Sequence, residues 1–260
     1  MDLNIISLNI RKKIIELANN SKSPHVGSSL SCVDILTVLY FDLLKLEPWD
    51  KRDIFVLSKA HSAMALYATI AEKGIISENI LSGYLKDDGT LPAHLDKDIC
   101  KGIEVSAGSL GHGFNIAIGI AHAFKKRNEN RQVYALIGDG ESQEGSIWEG
   151  AMFGSNLGLD NFTAILDYNN LQGYGRPREI CSYEPVKEKW EAFGWYAEVI
   201  DGHNINQLKN SMRNICKGKP KIIIASTIKG KGVSFMENKL EWHYYIVTDE
   251  YKQKALEELS

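Results

Sequence analysis

Two oxygen-bearing side chains follow two successive apolar segments at positions where a metal and a phosphate could bind. Asp139 stands between two glycines directly after the segment QVYALI, and Asn169 follows the next apolar segment, FTAILD, 30 residues further on. If both segments are parallel strands of one sheet, their carboxyl ends meet at the edge where open α/β sheets bind ligands. A carboxylate, an amide oxygen and a nearby carbonyl are hard ligands suited to Mg²⁺, with phosphate oxygens completing the octahedron.

The glycines on either side of Asp139 favour a phosphate ligand. Gly138 and Gly140 let the backbone approach a ligand closely, and the helix expected after them offers its N-terminus to negative charge. By itself, G-D-G is typical of a turn and N-N of a helix cap. The combination of the two, each following a predicted strand, favours a binding site.

The elements that must position these residues alternate along the chain. Apolar periodicity predicts a strand at each of residues 53–58, 132–137, 162–167, 196–200 and 220–227, and a helix at each of residues 3–18, 31–44, 63–72, 113–126, 146–157, 186–193 and 205–215. Residues 83–113 and 229–249 have the composition of loops, and Ser31 is the expected N-cap of its helix. Alternating apolar strands and helices predict an α/β fold, a parallel β-sheet flanked by helices on both faces. Nothing marks an internal boundary, so a single domain over residues 1–260 is expected.

Composition limits the partners and the compartment. The chain of 260 residues carries 30 Lys and Arg against 33 Asp and Glu, a net charge of −3, and has no basic cluster, which argues against nucleic acid as a partner. We expect no membrane association, because no apolar run approaches the roughly 18 residues of a membrane span and the N-terminus is unlike a signal peptide. Four scattered cysteines without a C-x-x-C pair predict free thiols and a cytoplasmic location.

Residues 138–173 resemble the diphosphate-binding fingerprint of thiamine-diphosphate (ThDP) enzymes, and the chain as a whole resembles the N-terminal part of transketolase. The resemblance implies the diphosphate-binding domain of the ThDP-binding fold, with ThDP and Mg²⁺ as cofactors and Ca²⁺ or Mn²⁺ as substitutes for the metal. It implies that Asp139, Asn169 and the carbonyl of Leu171 are metal ligands. Gly138 and the N–H of Gly140 would then lie against the diphosphate.

Histidine motifs carry much of the resemblance. The segments SPHVG, LSKAH, LPAH and WH are each similar to a transketolase motif, and they contain His25, His61, His94 and His243 in that order. A single histidine is more often structural, but several in matching contexts in the right order are not explained in that way. The resemblance assigns His25, His94 and His243 to catalysis on the sugar. It assigns His61 and His243 to the diphosphate.

Two further segments resemble cofactor-binding parts of transketolase. The loop GSLGHG, with Gly108, Ser109 and Leu110, would pass over the thiazolium ring. Glu144 belongs to the implied cofactor-binding set. Together with Glu149, it is similar to acidic residues that face the second active site of a dimer.

The implied reaction is transfer of a two-carbon ketol unit from a ketose or ketose phosphate to an aldose. In the family, a glutamate on a following pyrimidine-binding domain contacts the aminopyrimidine ring of the cofactor, and no such segment is seen before Ser260. We therefore expect the N-terminal subunit of a split transketolase, which acts with a separate C-terminal subunit in a dimer of heterodimers. Two alternatives are half of another ThDP enzyme, similar to the 2-oxo acid dehydrogenase alpha subunit or to deoxyxylulose-phosphate synthase, and a non-catalytic ThDP-binding module.

Four positions depart from the transketolase pattern. Ala60 stands where glycine is usual, and Leu95 where proline is usual. Tyr244 and Tyr245 follow His243 where glycine and a small or basic residue are common. Two tyrosines at the entrance of the substrate channel would narrow it or change the preferred sugar. The identity of the sugars stays open at this point.

Overall fold

Five parallel strands form one sheet, in the order β1-β2-β3-β5-β4. The structure is a computed structural model that describes residues 2–260. The strands are β1 (Ile54–Leu57), β2 (Val133–Gly138), β3 (Phe162–Tyr168), β4 (Tyr196–Asp201) and β5 (Lys221–Ser226). The predicted parallel α/β fold is confirmed.

Helices cover both faces of this sheet. They are α1 (Leu3–Ser21), α2 (Val26–Ser31), α3 (Val33–Val38), α4 (Ala63–Glu72), α5 (Glu78–Ser82), α6 (His112–Lys126), α7 (Gly145–Asn156), α8 (Pro177–Ile180), α9 (Val186–Ala192), α10 (Ile205–Arg213) and α11 (Asp249–Glu258). Successive side chains of β2 enter different cores: Tyr134 and Leu136 pack with α1, α3 and α4, whereas Ala135 and Ile137 pack with α6, α7 and α9. Because both faces of the sheet are buried, the strands are continuous apolar runs in the sequence.

The predicted helix over residues 31–44 is wrong in its form. The structure contains two short helices, α2 and α3, followed by a π-helical turn at Leu39–Leu43. Ser31 does not cap a helix, because its hydroxyl donates to the carbonyl of Ser28 (3.0 Å) and to Asp167 (2.6 Å). The Ser28 carbonyl also accepts bonds from Lys59 and Ser62, both at 3.0 Å. Contacts with distant residues therefore interrupt the helix that the local pattern favours.

The other predicted elements begin and end within a few residues of their bounds in the structure, whereas α5, α8 and α11 correspond to no predicted element. Residues 229–249 are mostly irregular, as expected, with a 3₁₀ turn at Leu240–His243. No helix among residues 2–260 is long and apolar enough to cross a bilayer. The carboxyl ends of β1, β2, β3 and β5 lie together along one edge of the sheet, and the candidate site is there.

Candidate active site

A cavity of about 430 Å³ lies at the carboxyl ends of the strands. The sequence-predicted residues that line it are His25, His61, His94, Gly108, Leu110, Gly138, Asp139, Gly140, Glu144, Asn169, Leu171 and His243. Ser109 is exposed and is not part of this lining, and its carbonyl accepts a bond from His112 N (3.4 Å). The fold thus brings segments from distant parts of the chain to one place.

Asp139 and Asn169 are neighbours because Gly138 of β2 pairs with Asp167 of β3. The N–H of Asn169 donates to Oδ2 of Asp139 (3.0 Å), and the hydroxyl of Tyr183 donates to Oδ1. Burial raises the pKa of Asp139 to about 7, with the Tyr183 hydrogen bond acting in the opposite direction. A buried carboxyl of this kind is readily stabilised in its charged form by a cation. No group of three or more His, Cys, Asp and Glu side chains suited to a metal occurs within residues 2–260, so a cation here would depend on amide, carbonyl and ligand oxygens.

A buried ion pair lies beside Asp139. Lys59 donates to Asp167 and to the carbonyl of Ser28, and the two charged side chains are only 1% and 0% exposed. Burial alone would lower the pKa of Lys59, but the adjacent Asp167 carboxylate raises it. For Asp167, burial acts to raise the pKa and the Lys59 charge holds it below the ordinary value. Lys59 therefore presents a fixed positive charge in the cavity lining.

Lys229 is a second cation of the cavity, and sequence reasoning missed it. Its side chain is fully buried, and Nζ donates to the carbonyl of Leu171 (3.0 Å) and contacts Nδ1 of His243 (2.9 Å). Burial lowers the pKa of Lys229 to about 8, and the charge of Lys59 acts in the same direction. The available signal was its position: Lys229 follows β5 as Asn169 follows β3, so both lie at the ligand-binding edge.

Three histidine rings form a cluster in the cavity. The ring centroid of His25 lies 4.8 Å from that of His243 and 5.4 Å from that of His61. Burial lowers the pKa of His25 to about 4 and that of His243 to about 3, and it places the pKa of His61 well below its usual value. All three rings are thus neutral at neutral pH. Nδ1 of His25 is buried and has no hydrogen-bond partner within residues 2–260, so it can bind a ligand.

His94 is exposed and lies beside the loop at residues 108–110. A Cβ added at Gly108 would be 3.9 Å from Cδ2 of His94, an ordinary van der Waals contact.

The structure accommodates Ala60 and Leu95, two of the residues that depart from the transketolase pattern. Ala60 lies in a 3₁₀ turn, which does not require glycine, and buried Leu95 accepts a bond from Ala107 N (3.0 Å).

Glu141 is a buried carboxylate that the sequence did not single out. It accepts bonds from the Ser58 hydroxyl and from the N–H groups of Gly111 (2.9 Å) and Gly138 (3.2 Å). Burial raises its pKa to about 7. The side chain therefore joins the ends of β1 and β2 to the glycine-rich loop on the other side of the cavity.

Tyr244 lies at the cavity entrance, as expected, with its ring centroid 4.7 Å from that of His243. A Cβ added at Gly173 would be 2.6 Å from the Tyr244 hydroxyl, so a larger residue there would displace the end of this side chain. Tyr174, which is 84% exposed, also lines the cavity, whereas Tyr245 does not. The entrance is therefore bordered by two tyrosines, Tyr174 and Tyr244.

Helix α7 begins at the cavity and exposes apolar side chains further along. Glu144 is its N-cap residue, and Glu149 is exposed. Trp148 packs inward, with its ring centroid 5.2 Å from that of Trp190. Met152 and Phe153 are 57% and 55% exposed, so they form the exposed apolar surface of this helix.

The fold and the site define a parallel α/β domain with its cavity at the carboxyl ends of the strands, where open α/β sheets bind ligands. A family model described as "Transketolase, thiamine diphosphate binding domain" matches residues 4–256. The chain belongs to this family, and the resemblance read from the sequence motifs is confirmed.

Relatives and solved structures agree with this assignment. The chain is 42% identical over 256 residues to the 6-deoxy-6-sulfo-D-fructose transketolase subunit SqwG of Clostridium sp. strain MSTE9, covering 96% of this chain and 93% of that one. It is also 42% identical to one of the subunits of the apulose-4-phosphate transketolase of Actinobacillus succinogenes, with the same coverage. The crystal structure of Campylobacter jejuni transketolase superimposes with a TM-score of 0.88 at 28% identity, covering 100% of this chain and 43% of that one. The chain thus spans nearly the whole of the relatives named as subunits and less than half of that transketolase.

Proposed function

We propose that this chain is the N-terminal subunit of a ThDP- and Mg²⁺-dependent transketolase, transferring a two-carbon ketol unit from a ketose to an aldose together with a partner subunit. One observation carries the proposal: a single cavity combines Asp139 and Asn169, the buried cations Lys59 and Lys229, and a cluster of neutral histidines. Coverage of 93% of two relatives named as transketolase subunits supports the division between two chains.

The residues present fit the cofactor and its metal. Asp139, Asn169 and the carbonyl of Leu171 supply oxygen ligands for Mg²⁺, or for Ca²⁺ or Mn²⁺ in its place, and the raised pKa of buried Asp139 is what a cation would reverse. Gly138 and Gly140 line the cavity, where their backbone can contact the diphosphate. Lys59 and Lys229 add ammonium groups beside it, and the neutral ring of His61 adds a hydrogen-bond donor.

When bound, ThDP would supply the nucleophilic carbon that is needed to cleave a carbon–carbon bond of the ketose. The histidines of this chain then bind and orient the sugar. His25 and His243 are held neutral by burial, so each ring can accept a hydrogen bond from a sugar hydroxyl at neutral pH. His94, which is exposed and also lines the cavity, would bind hydroxyls of the donor. Glu144, the N-cap residue of α7, also lines the cavity.

The partner subunit would supply the pyrimidine-binding domain and its glutamate. Ile116 on α6 and Met152 and Phe153 on α7 are exposed apolar side chains that a second chain would cover. We propose an assembly of two copies of each chain, with each active site at a junction. The four cysteines, none of which forms a disulfide within residues 2–260, agree with a cytoplasmic location.

Calorimetric titration of ThDP, with and without Mg²⁺, tests the site in the complex of this chain with its partner. Asp139→Ala should abolish Mg²⁺-dependent binding, because the metal loses its carboxylate ligand and the diphosphate loses its main counter-charge. Asp88→Ala, which changes an exposed carboxylate outside the cavity lining, serves as the matched control and should bind normally. Unchanged affinity in the Asp139 variant would refute the metal assignment.

A further inference from the structure

We infer that His203 is a positioning residue that holds the backbone beside Lys229 and so keeps the Lys229 ammonium in the cavity. The inference rests on the proposed function, because it gives Lys229 a task in binding the cofactor diphosphate. His203 lies outside the cavity lining, in the turn between β4 and α10. It has no place in the transketolase motifs that the sequence analysis singled out.

Two side chains hold the backbone on either side of Lys229. The N–H of Ile228 donates to Nε2 of His203 (2.9 Å), and Nε of Arg11 donates to the carbonyl of Lys231 (3.1 Å). The residues before and after Lys229 are thus tied to α1 and to the β4–α10 turn. Gly230 adds a third bond, from its N–H to the carbonyl of Gly27 (2.9 Å).

Asp34 joins these two holding groups. Its carboxylate accepts hydrogen bonds from both terminal nitrogens of Arg11, at 3.1 and 2.7 Å, and from Nδ1 of His203, at 2.7 Å. Burial acts to raise the pKa of Asp34, but the His203 hydrogen bond and the Arg11 charge hold it at about 2. The carboxylate is therefore charged and balances the buried guanidinium. Arg11, Asp34 and His203 form one network, here called the Asp34 network.

The contacts of His203 fix its tautomer. Because Nε2 accepts from the Ile228 N–H, the ring proton is on Nδ1 and is donated to Asp34. Each nitrogen thus has a separate task. Nδ1 binds the Asp34 network, and only Nε2 binds the segment that carries Lys229.

Lys229 needs this support because its ammonium is removed from water. The side chain is 0% exposed, and its partners are the Leu171 carbonyl and the His243 ring rather than a carboxylate. A buried ammonium with only neutral partners is costly, and a small backbone shift would let it move toward solvent. Because the backbone at Ile228 and Lys231 is held, the Lys229 ammonium stays in the cavity before the diphosphate binds.

The separate tasks of the two nitrogens give a matched pair of variants. In His203→Gln the side-chain oxygen can reach the position of Nε2 and accept from Ile228, whereas in His203→Asn the amide nitrogen replaces Nδ1 and only the Asp34 contact is kept. We expect His203→Asn to weaken Mg²⁺–ThDP binding by the roughly 10- to 100-fold typical of groups that orient a ligand's partners, with His203→Gln closer to wild type. If His203 acted only by stabilising the fold through Asp34, His203→Gln would weaken Mg²⁺–ThDP binding more than His203→Asn.

The measurement is calorimetric titration of Mg²⁺–ThDP into the complex with the partner subunit, with melting temperatures recorded alongside. Introducing His203→Asn into a Lys229→Met background should cause little further loss of affinity, because the two residues act through one contact. Absence of binding by wild type would refute the proposed function itself. Normal wild-type binding with equal affinity in both His203 variants, or full additivity with Lys229→Met, would overturn the inference. If His203→Asn does not fold, a folded His203→Gln that binds as weakly as Lys229→Met would overturn it.

Discussion

Asp167→Asn should destabilise the folded chain strongly, because it removes the carboxylate that pairs with Lys59. Both side chains are almost completely excluded from water. Asparagine has nearly the same size, so no cavity forms, and the loss comes from the uncompensated ammonium. Breaking a buried ion pair from one side costs about 3–5 kcal/mol, a large part of the roughly 5–15 kcal/mol that stabilises a typical domain.

Equilibrium unfolding in urea, monitored by circular dichroism, measures this loss. The double variant Asp167→Asn, Lys59→Met should recover most of the lost stability, because neither charge remains buried alone. Asp160→Asn is the matched control: its partner, Lys125, is 39% exposed, so its loss should be about 0–1 kcal/mol. If Asp167→Asn lowers the free energy of unfolding by less than about 1 kcal/mol, or if the double variant recovers none of it, the Lys59–Asp167 ion pair does not stabilise the fold as argued.

Two further predictions concern the histidines. His61→Ala should mainly weaken ThDP binding in calorimetry, while His94→Ala should mainly lower ketose turnover with ThDP affinity kept; exchanged phenotypes would contradict the assigned roles. Between pH 6.5 and 4, the lowered pKa values of His25 and His243 act to decrease the free energy of unfolding as the pH decreases. The raised pKa values of Asp139 and Glu141 act in the opposite direction, so the contribution of a histidine is measured as a difference between wild type and variant. The slope is at most about 1.4 kcal/mol per pH unit for each histidine. In urea titrations, the free energy of unfolding of wild type should fall relative to that of His25→Asn as the pH decreases, and an equal pH dependence in the two proteins would argue against a depressed pKa of His25.

The sequence predicts those parts of the site that depend on neighbouring strands. Asp139 and Asn169 follow consecutive strands, and in an α/β alternation such strands commonly pair, so their proximity was predictable. Lys229 was not, because its contact with Leu171 depends on β5 lying beside β3, and the alternation does not specify that strand order.

The broken helix at residues 31–44 has a similar explanation. Its interruption depends on the Ser28 carbonyl and the Ser31 hydroxyl bonding Lys59 and Asp167, which are distant in the sequence. Local periodicity contains no trace of such contacts. Glu141 was missed for the same reason, since one of its donors, Gly111, comes from a loop 30 positions away.

A reconstitution assay tests the central claim most directly. This chain and a partner that carries a transketolase-like pyrimidine-binding domain would be purified separately and mixed with ThDP, Mg²⁺, a donor ketose and an acceptor aldose. The account predicts no ketol transfer by either chain alone, and activity in the mixture that saturates near a one-to-one ratio. Substantial ketol transfer by this chain alone, in a preparation shown by mass spectrometry to be free of the partner, would contradict it.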